Sequence, residues 1–299
     1  MSLLTMQTIH IRVLRHSAFY SPLLATMSAG FLKAEGLEAE YTVVDADHPL
    51  EGGLRDGTVH VAQAAPAASF AYLERGESPP YVHFARINDR DGFFLAARQP
   101  EPEFNWTQLS GKRVLVDHLF QPIAMFRYVL RREGIDPVAV EMIDAGDVTA
   151  MDQAFRNGDG DYIHQQGPAP QQLEHEGIAH VVASVGERIG PVAFSSLCAT
   201  PDWLQTDMAR AFMRAYRRAQ QHVIETPAEQ LAREEQSFFP GIDPEVLTRT
   251  IAAYQALGCW QSSPEIPRAS YETLLDVFEA DGQISRRYPY EDVITAPPA

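Results

Sequence analysis

A chain of 299 residues, 45% of them apolar and 21% charged, has the composition of a soluble globular protein with core enough for one large domain or two lobes. A formal charge of −16 argues against nucleic acid or an anionic membrane surface as the main partner, since either demands a basic face. A local basic pocket for a small anion stays open, and no apolar run approaches the roughly 18 residues of a membrane-spanning helix, so no membrane insertion is expected.

Met1 to Met6 carry neither a basic segment nor an apolar stretch of the kind a leader needs. As it stands the sequence predicts a cytoplasmic protein; removal of a leader would make it a periplasmic one. Ile9 to Leu14 alternates as a first strand, and a helix follows from Pro22 to about Glu35, stopped by Gly36. Ala39 to Val44 is the second strand. The stretch from Leu54 to Pro66 then reads as a helix end, a Gly57 stop, a buried strand from Val59 to Ala62, and a small-residue loop. A helix over Pro66 to Arg75 and strands over Tyr81 to Arg86 and Gly92 to Ala97 complete the first part.

The same phrase returns about a hundred residues later, as Phe155 to Gln165 around Gly158. Upstream, Phe31 to Glu38 is echoed by Val129 to Asp136. Two matched pairs at similar offsets predict two lobes on one βαβ plan, with the loops after Ala62 and Ile163 facing each other across a cleft. The second lobe opens after the linker Gln99 to Glu103. It has strands at Arg113 to Val116, Val138 to Ile143 and Ala179 to Ser184, and helices at Pro122 to Glu133 and Val148 to Phe155. Val192 to Leu197 carries the chain back. The organisation expected is residues 1–98 for the N-terminal part of lobe one, 99–192 for lobe two, and 193–299 for the return and a set of C-terminal helices. Those helices have start signals at Thr200-Pro201, Thr226-Pro227 and Asp243-Pro244.

These features, with Gly30-Phe31-Leu32-Lys33-Ala34-Glu35-Gly36-Leu37, Leu109-Ser110-Gly111-Lys112-Arg113-Val114 and Tyr254…Gly258-Cys259-Trp260…Gly282-Gln283-Ile284, resemble the type II periplasmic-binding-protein-like superfamily. The branch they resemble holds nitrate, taurine and aliphatic-sulfonate receptors and the thiamine-pyrimidine (NMT/THI-like) proteins. The resemblance spans nearly the whole chain and implies a two-lobed α/β fold that closes on a small molecule. It also implies an ABC transporter permease as partner. Enzymes occur in this branch as well. Where the pyrimidine synthases have a lysine and a histidine, this sequence has Ala64 and Ala68. Gly57-Thr58-Val59-His60 is similar to the aromatic sulfinate desulfinases, with His60 in their histidine column. Their cysteine column falls near Ser17 and their arginine column near Phe70, which disfavours desulfination by that route.

The candidate ligand-binding residues follow the strands. His16, Ser17, Phe19 and Tyr20 follow the first, and Gln63 and Ala64 the third. His118 and Gln121 follow the first strand of lobe two, at a helix start where free backbone N–H groups can meet an anion or a carbonyl oxygen. His164 and Gln165, with Gln166, are the counterparts of Gln63 and suit recognition of a heterocycle. The bulk of Phe120 weighs against a bare sulfonate or nitrate. An enzyme would use His60 or His16 as the acid–base group with Ser17 or Tyr20 as its hydroxyl partner. Ten histidines form no HxH, HExxH or Cys/His spacing, and GxGxxG, P-loop and GxSxG motifs are missing, so neither metal nor cofactor is expected. Cys198 and Cys259 read as buried free thiols, their pairing left open by spacing alone.

Overall fold

The computed structural model describes residues 6–45 and 47–299. Met1 to Thr5, on which the expectation about a leader mostly rests, lie outside the described residues. Lobe one contains β1 (Gln7–Val13), α1 (Ser21–Ser28), α2 (Phe31–Ala34), β2 (Leu37–Val43), α3 (Leu50–Asp56), β3 (Val61–Ala64), α4 (Phe70–Glu74) and β4 (Val82–Arg86). Lobe two contains β5 (Phe93–Ala97), β6 (Arg113–Val116), α5 (Phe120–Arg132), β7 (Glu141–Ile143), α6 (Val148–Arg156), β8 (Tyr162–Gln166), α7 (Ala169–His175), β9 (His180–Ser184) and α8 (Val185–Ile189). The chain then supplies β10 (Ser196–Ala199) and the helices α9 (Asp207–Glu225), α10 (Ala228–Glu235), α11 (Pro244–Leu257) and α12 (Arg268–Ala280).

The two sheets share one plan. The first has the order β2-β1-β3-β10-β4 and the second β7-β6-β8-β5-β9. In each, a central strand is flanked by two parallel neighbours, β1 by β2 and β3, and β6 by β7 and β8. In each, one antiparallel strand is inserted from elsewhere in the chain, β10 in the first and β5 in the second. The repeated Gly turns sit at equivalent places, with Gly57 and Gly158 both at positive φ ahead of β3 and β8. That backbone region penalises a side chain, so glycine there fixes the turn in both copies.

Several elements differ from the sequence reading. The helix expected from Pro22 to Glu35 is broken at Gly30, whose φ of 73° starts α2 afresh. The strand expected at Val59 to Ala62 lies later, at Val61–Ala64, because Val59 is still closing the turn onto Gly53. The strand at 92–97, placed at the end of lobe one, pairs with β8 and β9 in the second sheet. Every residue of Phe93–Ala97 is buried, so its pattern carries no sign of which sheet receives it. Of the proline-marked helix starts, Asp243 caps α11 as expected by accepting from the Glu245 N–H at 2.8 Å. At Thr200-Pro201 the chain makes a short turn instead, and Thr206 caps α9 through the Ala209 N–H at 3.2 Å. Thr226 makes no cap; its hydroxyl meets His222 at 3.1 Å.

The lobes join at 87–92 and 190–195. These crossing segments bond to each other: Ile87 N–H donates to the Ser195 carbonyl at 2.8 Å, and Val192 N–H to the Asp89 carbonyl at 3.1 Å. Gly186 packs so closely here that a Cβ would lie 2.1 Å from the Asp91 carbonyl oxygen. Tyr254 of α11 ties both sides together, its hydroxyl accepting from Gly167 N–H at 2.8 Å and donating to the Gly92 carbonyl at 3.0 Å. One apolar cluster runs through the junction, with Phe19, Phe93, Phe194 and Tyr254 at its centre. Both cysteines are buried and unpaired. Among the described residues, no helix is long and apolar enough to cross a membrane.

Candidate functional site

The C-terminal ends of the central strands meet across the cleft. A cavity of about 320 Å³ opens there. Lobe one contributes Leu14, Arg15, Tyr20, Gln63, Ala65 and Ala68; lobe two contributes Leu119, Phe120, Gln121 and Gln166. Phe194 and Ser195 of the return crossing form its back. The volume is at the small end of ligand pockets and suits a single ring with substituents. Most of the wall is aliphatic or aromatic, and a few polar groups converge on it.

Arg15, just after β1, reaches across to Asp117, just after β6, and forms an ion pair between the lobes. Both side chains are largely buried, 16% and 7% exposed. Burial works against the arginine's charge, but the Asp117 charge and hydrogen bond outweigh it, and the Arg15 pKa is raised on balance. The guanidinium also lies over the Phe93 ring, 5.8 Å from its centre. A second direct link is Ser17 Oγ, which donates to the Gly167 carbonyl at 2.8 Å. Two further spaces border the main cavity. One, of about 380 Å³, is lined by Arg15, Asp117, His118, Asp144, Asp147 and neighbours. The other, of about 220 Å³, is lined by Arg15, His16, Ser17, Val148 and Gln166 among others.

The sequence-derived candidates divide on this geometry. Tyr20, Gln63 and Gln121 line the main cavity. Burial holds the Tyr20 phenol neutral, its pKa raised against the opposing charge of Arg15, and its hydroxyl is within reach of Ser195 and Gln166. Gln63 is fully engaged, accepting from Leu14 N–H at 3.1 Å and donating to Ser195 Oγ at 3.3 Å. Gln121 donates weakly to the carbonyls of Ala193 and Phe194, and its amide oxygen has no protein partner. His118 lines the second space, with Nδ1 on the Val116 carbonyl at 2.7 Å. His16 and Ser17 line the third. His16 is held between the Tyr41 hydroxyl at 2.9 Å and the Phe238 carbonyl at 2.8 Å. Burial lowers its pKa more than the Phe238 carbonyl raises it.

Four candidates are not brought to the cavity wall. Phe19 is fully buried beneath it, against Tyr254 and Phe194. Ala64 turns its side chain to the other face of β3, into a small core with Leu50, Leu54 and Tyr81. His164 lies inside lobe two between the rings of Phe93 and Phe126, 4.5 and 4.9 Å away, with neither ring nitrogen partnered. Burial pushes its pKa down to about 3. Gln165 is buried too, donating to the Val148 carbonyl at 3.1 Å. Period-two alternation turns Gln165 to the opposite face, while His164 shares the face of Gln166 but sits two residues farther from the strand end; Gln166, the final residue of β8, is the one that reaches the cavity. Arg15, Asp117 and Ser195 do not stand out in the sequence. The signal that could have found the first two is their place in matched loops, after β1 and after β6.

The pairing of His60 with Ser17 considered from the sequence is not assembled. His60 stands at the start of β3, the far end of the strand from the cleft, where Nδ1 accepts from the His10 N–H at 3.0 Å and the ring stacks on Trp203. Ser17 commits its hydroxyl to Gly167. The geometry brings neither His60 nor another free base to Ser17, so a route through that pair has no support here. Among the described residues, no cluster of three or more metal-ligating side chains occurs.

Comparison with known proteins agrees with this architecture. Putative binding protein YtlA of Bacillus subtilis (strain 168) is 29% identical over 295 residues, covering 97% of this chain and 88% of the relative. Among solved structures, the alkanesulfonate-binding protein SsuA from Xanthomonas axonopodis pv. citri bound to MOPS superposes with a TM-score of 0.74 at 16% identity, covering 97% of this chain and 98% of the other. The ligand-binding component of an ABC-type import system from Staphylococcus aureus, with zinc bound, gives a TM-score of 0.77 at 15% identity, covering 97% of both chains. At such identities the solved structures establish the two-lobed binding-protein fold alone. The model of the family described as NMT1/THI5 like matches residues 18–230, and on that match the chain belongs to the NMT1/THI5-like family.

Proposed function

We propose that this chain is a solute-binding protein whose two lobes close on a small organic molecule, delivering it to an ABC-type importer from the outer side of the membrane. The observation that carries the reading is the cavity of about 320 Å³ between the C-terminal strand ends of two lobes joined by a two-segment crossing. Such an arrangement couples ligand contact to a hinge equilibrium, and a transporter can sense that equilibrium. The names of the relative and of the solved neighbours support it. Of the ligand classes compatible with a polar-aromatic cleft (heterocycle, aromatic acid, sulfonate), the heterocycle fits best. The wall offers amides, a phenol and apolar side chains rather than a cluster of cations.

The test is native mass spectrometry of the purified protein after timed incubation with aminopyrimidines, aromatic acids, sulfonates and sulfinates. Retention of one compound at unchanged mass is the expected result. A new product mass growing with time would replace the receptor reading with an enzyme, and binding of nothing across a broad panel would remove its basis.

A further inference from the structure

Among the described residues, Arg15 is the only arginine or lysine lining the three adjoining spaces, and the chain has already used it. Its guanidinium is paired with Asp117, and Asp117 is itself fixed, its other oxygen accepting from Leu119 N–H at 2.9 Å. Two further carboxylates, Asp144 and Asp147, line the space beside the pair. An anion that takes this guanidinium for itself must therefore displace a largely buried partner, leave Asp117 unpaired, and approach two more negative charges. Breaking a buried pair from one side is strongly unfavourable.

The neutral groups lack the opposite partner. Gln121 and Gln166 line the main cavity, 3% and 8% exposed, and each has a side-chain oxygen without a hydrogen-bond partner. A buried acceptor in this position costs free energy until a donor reaches it, and an incoming N–H relieves that cost. Around them the mouth is apolar and accessible: Leu14, Leu119 and Phe120 are 41%, 57% and 40% exposed, unusual values for large hydrophobic side chains.

Resting on the receptor reading, we propose that the cleft selects uncharged, ring-containing ligands that donate N–H hydrogen bonds, and that Asp117 is the residue that makes it reject anions. The uncharged ligand's N–H groups satisfy Gln121 and Gln166, its ring lies among Tyr20, Phe120 and Phe194, and the charge that draws the lobes together comes from the protein itself.

Isothermal calorimetry with two matched pairs tests this: benzamide against benzoate, and benzenesulfonamide against benzenesulfonate. The wild type should favour the uncharged member of each pair at least tenfold. Asp117→Asn, which keeps the shape but frees Arg15, should gain at least tenfold for the anionic members. The double variant Arg15→Gln/Asp117→Asn should lose that gain. Wild type binding an anion as tightly as its uncharged partner overturns the proposal, as does Asp117→Asn gaining nothing. If Asp117→Asn does not fold, the wild-type comparison decides alone. An anion preference in the wild type sinks the selectivity and leaves the receptor reading standing. Silence of all four probes on both proteins overturns the selectivity, and the receptor reading is then judged by the broad mass-spectrometric panel.

Discussion

Glu235, at the end of α10, is fully buried, and only one of its oxygens is engaged, accepting from Ser21 Oγ at 2.8 Å. Burial pushes its pKa up to about 8, the Ser21 hydrogen bond only partly opposing this. The folded protein thus holds a proton there that the unfolded chain releases near the ordinary carboxyl value. For an acid with a raised folded pKa, stability is full below the unfolded value and falls as pH rises towards the folded one. Glu235→Gln mimics the protonated form at all pH values. Where the folded state holds one proton more than the unfolded chain, stability falls by about 1.4 kcal/mol for each pH unit. The variant's advantage over wild type should therefore grow by roughly 2.5 kcal/mol between about pH 6 and about pH 8.5. Urea unfolding of both proteins at the two pH values measures it, and every other titrating group cancels in the difference. An advantage that stays constant with pH would mean that Glu235 is ionised in the fold, refuting the burial argument.

The opposite sign is expected at His164, whose pKa is held down to about 3 by burial. Its contribution is lost as pH falls below the unfolded value near 6.5, so His164→Phe should reduce the acid-side loss by roughly 1.4 kcal/mol at about pH 5.5. A denaturation series against pH reads this, and unchanged acid sensitivity would count against it. Gly186→Ala forces a methyl group to within 2.1 Å of the Asp91 carbonyl oxygen in the crossing region, and should cost about 2 kcal/mol or more in thermal or urea unfolding. Tyr254→Phe leaves Gly167 N–H and Gly92 C=O unpaired in a buried position, for a cost of about 1–3 kcal/mol. Retention of wild-type stability in either variant would show that the junction relaxes. Cys198 and Cys259, both buried with thiol pKa values raised by burial, should resist a thiol reagent in native buffer and react fully in denaturant.

The repeat is the part of the fold most legible in the sequence. Gly36 and Gly134, and Gly57 and Gly158, all sit at positive φ in the structure, at matching turns of two sheets with one strand order. Turn chemistry of that kind is local, and so a short window of sequence contains it. The exchange of β5 and β10 between lobes is not legible, for the converse reason. Both are short and buried on both faces, and their partners are set by distant parts of the chain.

The same distinction separates the cavity-lining residues that the sequence names from those it does not. Gln63, Tyr20 and Gln121 follow from the rule that ligands lie beyond the C-terminal strand ends, which needs only the strand assignments. His164 and Gln165 do not reach the cavity wall because that rule says neither which face a side chain takes nor how near the strand end it must lie; Gln165 faces the other way, and His164, two residues deeper on the face of Gln166, goes to the core. Arg15 and Asp117 need one step more. In sequence they are one cation and one anion about a hundred residues apart in a strongly acidic chain, and a charge of either sign after a strand invites the reading of a solvated loop. Only when the repeat is folded, and its two equivalent loops are turned to face each other, do the opposite charges meet. The repeat therefore has a chemical consequence beyond architecture. Equivalent loops that carry unlike charges neutralise each other across the cleft, and the polar chemistry left on the cavity wall is that of the amides and the phenol among the rings around them.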